Sequence, residues 1–245
     1  MKKRIFAAAA AAICLLTCAA CGNEADISVN ENVTDSTVPS AAAPSVGEVV
    51  EPKEDSEEYN LGSYRVASDG VKFYYDEPIS EELMFALDNY FTCFQNKDYE
   101  TYQSLLYPDY KERYGNYLQE EFDYDLEHSF ELSCQNLRSI MQSECAESGG
   151  EEADYTGDFT ITRIKAEEPE LKEDETLDDL KKQLFDYFFE VFDMDYYEYV
   201  KENSDDIEYI SFYIYARGED GEEHRLISGY DIAFAVKDGK YYAFG

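Results

Sequence analysis

The segment IEYISFYIYA, residues 207 to 216, alternates between two kinds of side chain over ten positions. Alternation with a period of two is typical of a β-strand that is buried on one face only. One face carries Ile210, Phe212, Ile214 and Ala216, and the other carries Tyr209, Ser211, Tyr213 and Tyr215. The segment therefore predicts a sheet with an apolar face toward the core and a stripe of tyrosines on the opposite face.

Further strands are expected on both sides of this segment. Residues 64–67 and 71–75 flank Ser68-Asp69-Gly70 and predict a hairpin with an Asp-Gly turn. Residues 159–162 alternate, and residues 226–236 alternate again with Leu226, Tyr230, Ile232, Phe234 and Val236 on one face. A tight turn at residues 237–240 then predicts a final hairpin.

Helical spacing dominates the region between these strands. Ser80 is expected to cap a helix, Asp98 opens a shorter helix that Pro108 should stop, and apolar residues from Leu118 to Cys145 predict one longer helical stretch. Thr176 and Asp179 have the spacing of a capping box before another helix. Asp195 is expected to start one more turn.

This order resembles NTF2-like (cystatin-like α+β) domains, and two motifs carry the resemblance. Residues 86–91 (ALDNYF) and 96–100 (NKDYE) resemble the opening helices, and residues 235–242 (AVKDGKYY) resemble the final hairpin of NTF2-like extracytoplasmic lipoproteins of Gram-positive bacteria, of the type labelled as domains of unknown function. The resemblance implies an α+β fold in which N-terminal helices pack on a curved antiparallel sheet to form a cone. An extra helix would be inserted between the first two sheet strands, and a cavity would lie inside the cone.

The N-terminal sequence predicts a lipoprotein signal peptide. Lys2, Lys3 and Arg4 precede a short apolar stretch, and Ala19-Ala20-Cys21-Gly22 resembles the lipobox of bacterial lipoproteins. That resemblance implies cleavage after residue 20 and diacylation of Cys21, which would anchor the protein at the outer face of the cytoplasmic membrane. The usual leucine of the motif is Cys18 here, and cleavage before Cys18 is the alternative register.

Residues 21–58 are expected to form a disordered linker between this anchor and one domain over residues 59–245. From residue 22 to residue 58 the chain has no aromatic residue, but it contains three prolines and many small or acidic residues. A flexible chain of this length spans about 30–40 Å. The linker would therefore hold the domain clear of the membrane.

The charge restricts the partners. The chain has a formal net charge of −35, and loss of the three cations of residues 1–20 changes it to −38. Such a charge disfavours nucleic acid and anionic lipid surfaces as partners. A cell-surface protein or a small ligand is the expected partner, and the lipid anchor is the expected membrane contact.

Three cysteines follow the linker, namely Cys93, Cys134 and Cys145. Cys134 and Cys145 are too far apart along one helix to form a disulfide with each other. Cys93 could pair with either of them, and three buried thiols are an equally favoured reading. No Cys-His spacing typical of a nucleophile is present.

The sequence supports binding more than catalysis. Tyr209, Tyr213 and Tyr215 are candidate contacts for a sugar or peptide, with cross-strand packing as the alternative. His128, in the long helix, is a further candidate for ligand binding or for acid-base chemistry in an enzyme of the isomerase or hydrolase type. Asp193, Asp195, Glu198 and the pair Asp205-Asp206 offer carboxylates for Ca²⁺ in a structural module, but their spacing is not that of an EF-hand. No catalytic set, metal site or cofactor is therefore expected.

Overall fold

The computed structural model describes residues 46–54, 56–75, 79–147, 149, 151–167 and 169–245. Within them lie seven strands and six α-helices. The strands are β1 (Val49–Val50), β2 (Tyr64–Val66), β3 (Lys72–Tyr75), β4 (Thr160–Glu167), β5 (Asp206–Arg217), β6 (Glu223–Lys237) and β7 (Lys240–Tyr242). The helices are α1 (Glu81–Asn96), α2 (Tyr99–Leu105), α3 (Pro108–Phe122), α4 (Leu126–Glu147), α5 (Leu177–Phe192) and α6 (Tyr196–Asn203). The chain thus has the α+β class that its sequence predicts.

The strands form one open sheet in which their order across the sheet equals their order along the chain. Neighbouring strands are antiparallel except β3 and β4, which are parallel and pair Lys72 with Arg163. The sheet is therefore mixed, and the expectation of a purely antiparallel sheet was wrong. The chain leaves the sheet after β3, passes through α1 to α4 and returns as β4 in the same direction, and a crossover of this kind is what a parallel pair requires.

The strand predicted at residues 207–216 is confirmed as part of β5. Ile210, Phe212, Ile214 and Ala216 are each at most 3% exposed, whereas the tyrosines between them are half-buried. The regular alternation expected for β6 is interrupted, because its pairing with β5 shifts register around Ile214. As a result Leu226 and Ile227 are consecutive and both buried.

The helix starts follow their capping residues. The Ser80 hydroxyl accepts a hydrogen bond from the backbone N–H of Leu83 at 3.1 Å, and α1 starts at the next residue after Ser80. Thr176 and Asp179 form the predicted capping box of α5. Such caps satisfy backbone N–H groups that have no partner within the helix.

The long helix expected through residues 118–145 is divided into α3 and α4. Asp123 has a φ of 61° and ends α3 in a left-handed conformation. The Asp125 carboxylate then accepts a hydrogen bond from the His128 N–H at 2.9 Å and starts α4. Asp tolerates both roles because its short side chain bonds to nearby backbone groups.

The core between α1 and the sheet is aromatic, as the composition predicts. The ring centroids of Phe91 and Phe212 are 5.3 Å apart, and those of Tyr90 and Phe234 are 6.4 Å apart. Helix α4 packs on α1 and β6, and α5 packs on α3, β5 and β6. The Arg138 guanidinium on α4 donates to the backbone carbonyls of Phe94 and Gln95 at the end of α1.

The three cysteines after the linker are buried free thiols, so the disulfide considered for Cys93 is not formed. The Cys93 thiol instead donates to the carbonyl of Asn89 in its own helix. Burial raises the pKa of Cys93 to about 12, and the neighbouring Asp98 adds to this effect. A thiol with such a pKa is a poor nucleophile at neutral pH.

The first strand lies within the stretch for which a linker was expected. Val49 and Val50 pair with Arg65 and Tyr64 of β2, at the edge of the sheet. The signal peptide and Cys21 lie outside the described residues. Within the described residues, every helix is too short or too polar to span a bilayer.

Candidate functional site

Within the described residues, the two best-formed hollows are smaller than typical ligand pockets. Between α1, α4 and β6 there is a cavity of about 10 Å³. It is lined by Tyr90, Phe91, Phe94, Leu137, Tyr230, Ile232 and Gly245. A volume of this size holds about one water molecule, whereas pockets for small molecules measure about 300–1,000 Å³. A second hollow, between α5 and α6, measures about 130 Å³ and is also below that range.

His128 faces away from this interior. Its side chain is half exposed, and its Nδ1 atom lies 3.7 Å from a carboxylate oxygen of Glu131, one turn further along α4. Its ring also contacts the ring of Tyr124 edge to face. The structure therefore does not bring His128 together with the tyrosine stripe, and these contacts are those of a residue on a helix surface.

The tyrosine stripe forms the outward face of the central strands. We call the side chains of Tyr209, Tyr213 and Tyr215 the tyrosine face. All three are half-buried, and successive members point to the same side of β5 because they are an even number of residues apart. Neighbouring strands β4 and β6 flank them on both sides. The rings thus lie in the middle of the sheet and away from its edges.

Tyr215 lies beneath an arginine that is held in place. The Arg163 guanidinium carbon is 3.7 Å from the centroid of the Tyr215 ring, and Arg163 Nε donates to a carboxylate oxygen of Glu223 at 2.7 Å. The other oxygen of Glu223 accepts from the Thr162 hydroxyl at 2.5 Å. This places a planar ring, a planar cation and a carboxylate in one rigid array.

Tyr213 is flanked by a second charged pair. Lys165 lies opposite Tyr213 in the pairing of β4 with β5, and its ammonium is 2.7 Å from a carboxylate oxygen of Glu167. Burial and the Glu167 carboxylate raise the pKa of Tyr213, so its hydroxyl stays protonated at neutral pH. On the other side Tyr213 lies next to Gly229, where a Cβ atom would make ordinary contact with the Tyr213 hydroxyl at 3.6 Å, so the left-handed φ of 62° is what favours glycine there.

Tyr209 occupies the more enclosed end of the face. Burial raises the pKa of Tyr209, and a hydrogen bond to the Asp231 carboxylate and the charge of Glu175 raise it further. Glu175 precedes α5, so this end of the face lies next to the start of that helix. Tyr213, and the side of Tyr215 that Arg163 does not cover, are accordingly the parts of the face best placed to meet a ligand.

Cations are concentrated around the tyrosine face. Lys72, Arg163 and Lys165 occupy the neighbouring strands β3 and β4, and Arg225 lies opposite Tyr215 on β6. This is unusual in a chain whose formal net charge is −35. The face therefore combines ring surfaces, fixed hydrogen-bonding groups and locally balanced charge.

The charged residues that contact the tyrosines were not predicted from the sequence. Arg163 and Lys165 alternate with apolar residues along β4, and that alternation could have placed them on the outward side. What the sequence could not show is the register that sets Arg163 opposite Tyr215.

Three of the carboxylates considered for Ca²⁺, those of Asp195, Asp205 and Asp206, have structural roles. Asp195 caps α6 by accepting from the N–H of Glu198 at 3.1 Å, and Asp205 accepts from the N–H of Asp238 at 2.7 Å. Asp206 accepts from the N–H of the residue that follows it. Their oxygens are thus directed to backbone groups.

Comparison with known proteins gives no relative from which to transfer a function. No protein-family model, no curated protein and no solved structure matches the chain.

Proposed function

We propose that the protein is a lipid-anchored, extracytoplasmic binding protein without catalytic activity, and that it binds a saccharide chain on the tyrosine face. The single observation behind this proposal is the contrast between the two sides of the sheet. On the helix side of the described residues, the two hollows measure about 10 and 130 Å³ and are lined largely by aromatic side chains, whereas the opposite side presents Tyr213 and Tyr215 among ordered charged groups. A ligand would therefore be accommodated on the surface.

The position of the tyrosine face favours a saccharide over a peptide. Peptides commonly add a strand to the edge of a sheet or place a helix in an apolar groove. The tyrosine face lies between β4 and β6, so its strands have no free edge for a peptide to pair with. Tyrosine rings offer flat apolar area with little loss of side-chain entropy, and the adjacent Arg163 and Glu223 offer hydrogen bonds to hydroxyl groups.

The anchor and the fold complete the proposal. The lipobox-like Ala19-Ala20-Cys21-Gly22 would attach the mature protein to the membrane, and the following linker would hold the domain away from the lipid surface. An NTF2-like cone is the fold we propose, with α5 and α6, which connect β4 to β5, as the inserted helices. The filled interior supports binding over an enzyme that uses a cone cavity.

Two experiments test these parts separately. Metabolic palmitate labelling should survive Cys18→Ala and disappear with Cys21→Ala, and the reverse pattern would refute the anchor assignment. For binding, thermal unfolding of the full-length chain in detergent is measured with panels of soluble oligosaccharides, peptides and lipid-like molecules.

One saccharide class should stabilise the protein. At one hundred times Kd the gain is about 2.7 kcal/mol, or about 5–10 °C for a domain of this size. The double variant Tyr213→Ala/Tyr215→Ala should lose this shift, whereas His128→Ala should retain it. A shift with peptides only would overturn the saccharide assignment, and a shift that survives the double variant would overturn the tyrosine face as the site.

A further inference from the structure

A cysteine, a histidine and an aspartate meet on the helix side of the sheet, on the face opposite the tyrosine face. Cys145 lies at the C-terminal end of α4, Asp220 lies in the turn between β5 and β6, and His224 lies at the start of β6. One candidate ligand atom from each residue lies within 4.8 Å of the other two. No Cys-His spacing in the sequence predicts this meeting, because the fold alone joins residues that are 79 positions apart.

The three side chains are largely buried from solvent and lie close to one another. Cys145 is fully buried, and the side chains of His224 and Asp220 are 8% and 9% exposed. His224 Nε2 lies 2.8 Å from Asp220 Oδ2, and His224 Nδ1 lies 4.0 Å from a carboxylate oxygen of Glu144. The histidine ring is therefore bracketed by two carboxylates, with the Cys145 sulfur close by.

Gly218 allows the β5–β6 turn to approach the sulfur of Cys145 closely. A Cβ atom at Gly218 would collide with the Cys145 sulfur, so only glycine allows the β5–β6 turn to approach the end of α4 this closely. The Asp220 side chain also accepts from the N–H of Glu222 at 3.1 Å, which orients its carboxylate within the turn. The donors are thus held by local structure on both the helix and the turn.

We propose that Cys145, Asp220 and His224 form a binding site for Zn²⁺ or a similar transition-metal ion. A thiolate, an imidazole and a carboxylate are the donor types that zinc prefers, whereas Ca²⁺ and Mg²⁺ prefer oxygen donors alone. Zinc bonds of about 2.0–2.3 Å place tetrahedral donors about 3–4 Å from one another, so these donors would have to close in from separations of up to 4.8 Å.

Glu144 has a distinct part in this site. A metal-binding histidine usually donates its other ring N–H to a carboxylate, which fixes the orientation of the ring. With Nε2 on the metal, Nδ1 would donate to Glu144, which lies 4.0 Å away before any adjustment. Three protein ligands leave a fourth tetrahedral position for water or for an additional ligand. Metal binding would release the thiol proton of Cys145 to solvent, and the single proton of the neutral His224 ring would reside on Nδ1 while Nε2 binds the metal.

The test is titration of the full-length chain in detergent with Co²⁺, which occupies zinc sites and absorbs strongly when bound to a thiolate. The protein carries Cys14→Ser, Cys18→Ser and Cys21→Ser, so that the thiols of the N-terminal region contribute nothing. We expect thiolate-to-cobalt absorption that saturates at one equivalent and is displaced by Zn²⁺. Cys145→Ser should abolish the absorption, and Cys134→Ser, a matched change of a buried thiol in the same helix, should retain it.

Further variants keep the proposal testable if Cys145→Ser fails to fold, which far-UV circular dichroism would reveal. His224→Gln and Asp220→Asn should each weaken the metal at least tenfold, and His128→Ala should leave the affinity unchanged. Glu144→Gln should weaken it about tenfold, as expected for an outer partner of a metal-binding histidine. Absence of thiolate absorption, or absorption that is equal in all histidine and aspartate variants, would overturn the proposal.

Discussion

Replacing Asp88 with asparagine should stabilise the protein at neutral and alkaline pH and leave its stability at acidic pH nearly unchanged. Asp88 lies on α1, is 4% exposed, and has an Oδ1 atom without a hydrogen-bond partner among the described residues. Burial, helped by the charge of Asp69, raises the pKa of Asp88 from its ordinary 3.8 to about 7. Its ionised form is therefore unfavourable in the folded state.

The sign and the size follow from proton linkage. Between about pH 4 and pH 7 the folded chain keeps the Asp88 proton that the unfolded chain loses, so this group lowers the free energy of unfolding as the pH rises. A difference of about three between the two pKa values corresponds to about 4 kcal/mol once the pH exceeds 7. Asparagine removes the charge, so the stability of Asp88→Asn relative to wild type should rise by about 3 kcal/mol between pH 4.5 and pH 8.

Urea unfolding of the full-length chain, followed by circular dichroism at pH 4.5, 6 and 8, measures this difference. Repulsion among the many other acids also changes with pH, but it affects both chains alike and cancels in the comparison. Glu100→Gln, at an exposed position of α2, is the matched control, and its difference from wild type should change with pH by much less than that of Asp88→Asn. A difference between Asp88→Asn and wild type that stays constant from pH 4.5 to pH 8 would refute the reasoning.

Four further substitutions test the fold by urea unfolding. Gly157→Ala should lower the free energy of unfolding by at least about 2 kcal/mol, because Gly157 has a φ of 78° and a Cβ there would collide with the Arg138 carbonyl. Gly221→Ala, at a φ of 85° with open space around it, should lower it by only about 1 kcal/mol. Equal losses in the two variants would contradict this reasoning. Arg138→Lys should cost about 1–3 kcal/mol, since lysine cannot reach the carbonyls of α1 with several N–H groups at once, and an unchanged midpoint would count against that role. Thr176→Ala should cost about 1 kcal/mol through loss of the α5 cap, which a change below the error of measurement would disprove.

Sequence patterns predicted the strands and helix starts that depend on residues close together in the chain. The alternation of residues 207–216 identified β5 and its buried face, and Ser80 and Thr176 marked the starts of α1 and α5. These features depend on neighbouring residues in the chain, because caps and face alternation are set within a few positions.

Features that depend on long-range pairing were not predicted. The division between α3 and α4 at Asp123, the parallel pairing of β3 with β4 and the register shift in β6 each require knowledge of what packs or pairs nearby. For the same reason the tyrosines were found by their spacing along β5, whereas the arginine over Tyr215 was not.

The central claim is that the tyrosine face is the binding site, and a binding isotherm tests this claim most directly. The saccharide that gives the largest thermal shift is titrated into the wild-type chain, into Tyr215→Ala and into Tyr59→Ala, a control at an exposed tyrosine away from the face. Loss of one stacked ring is worth about 1.4 kcal/mol, so Tyr215→Ala should weaken binding about tenfold. Tyr59→Ala should bind as the wild type does. Unchanged affinity in Tyr215→Ala, or equal weakening in both variants, would contradict the account.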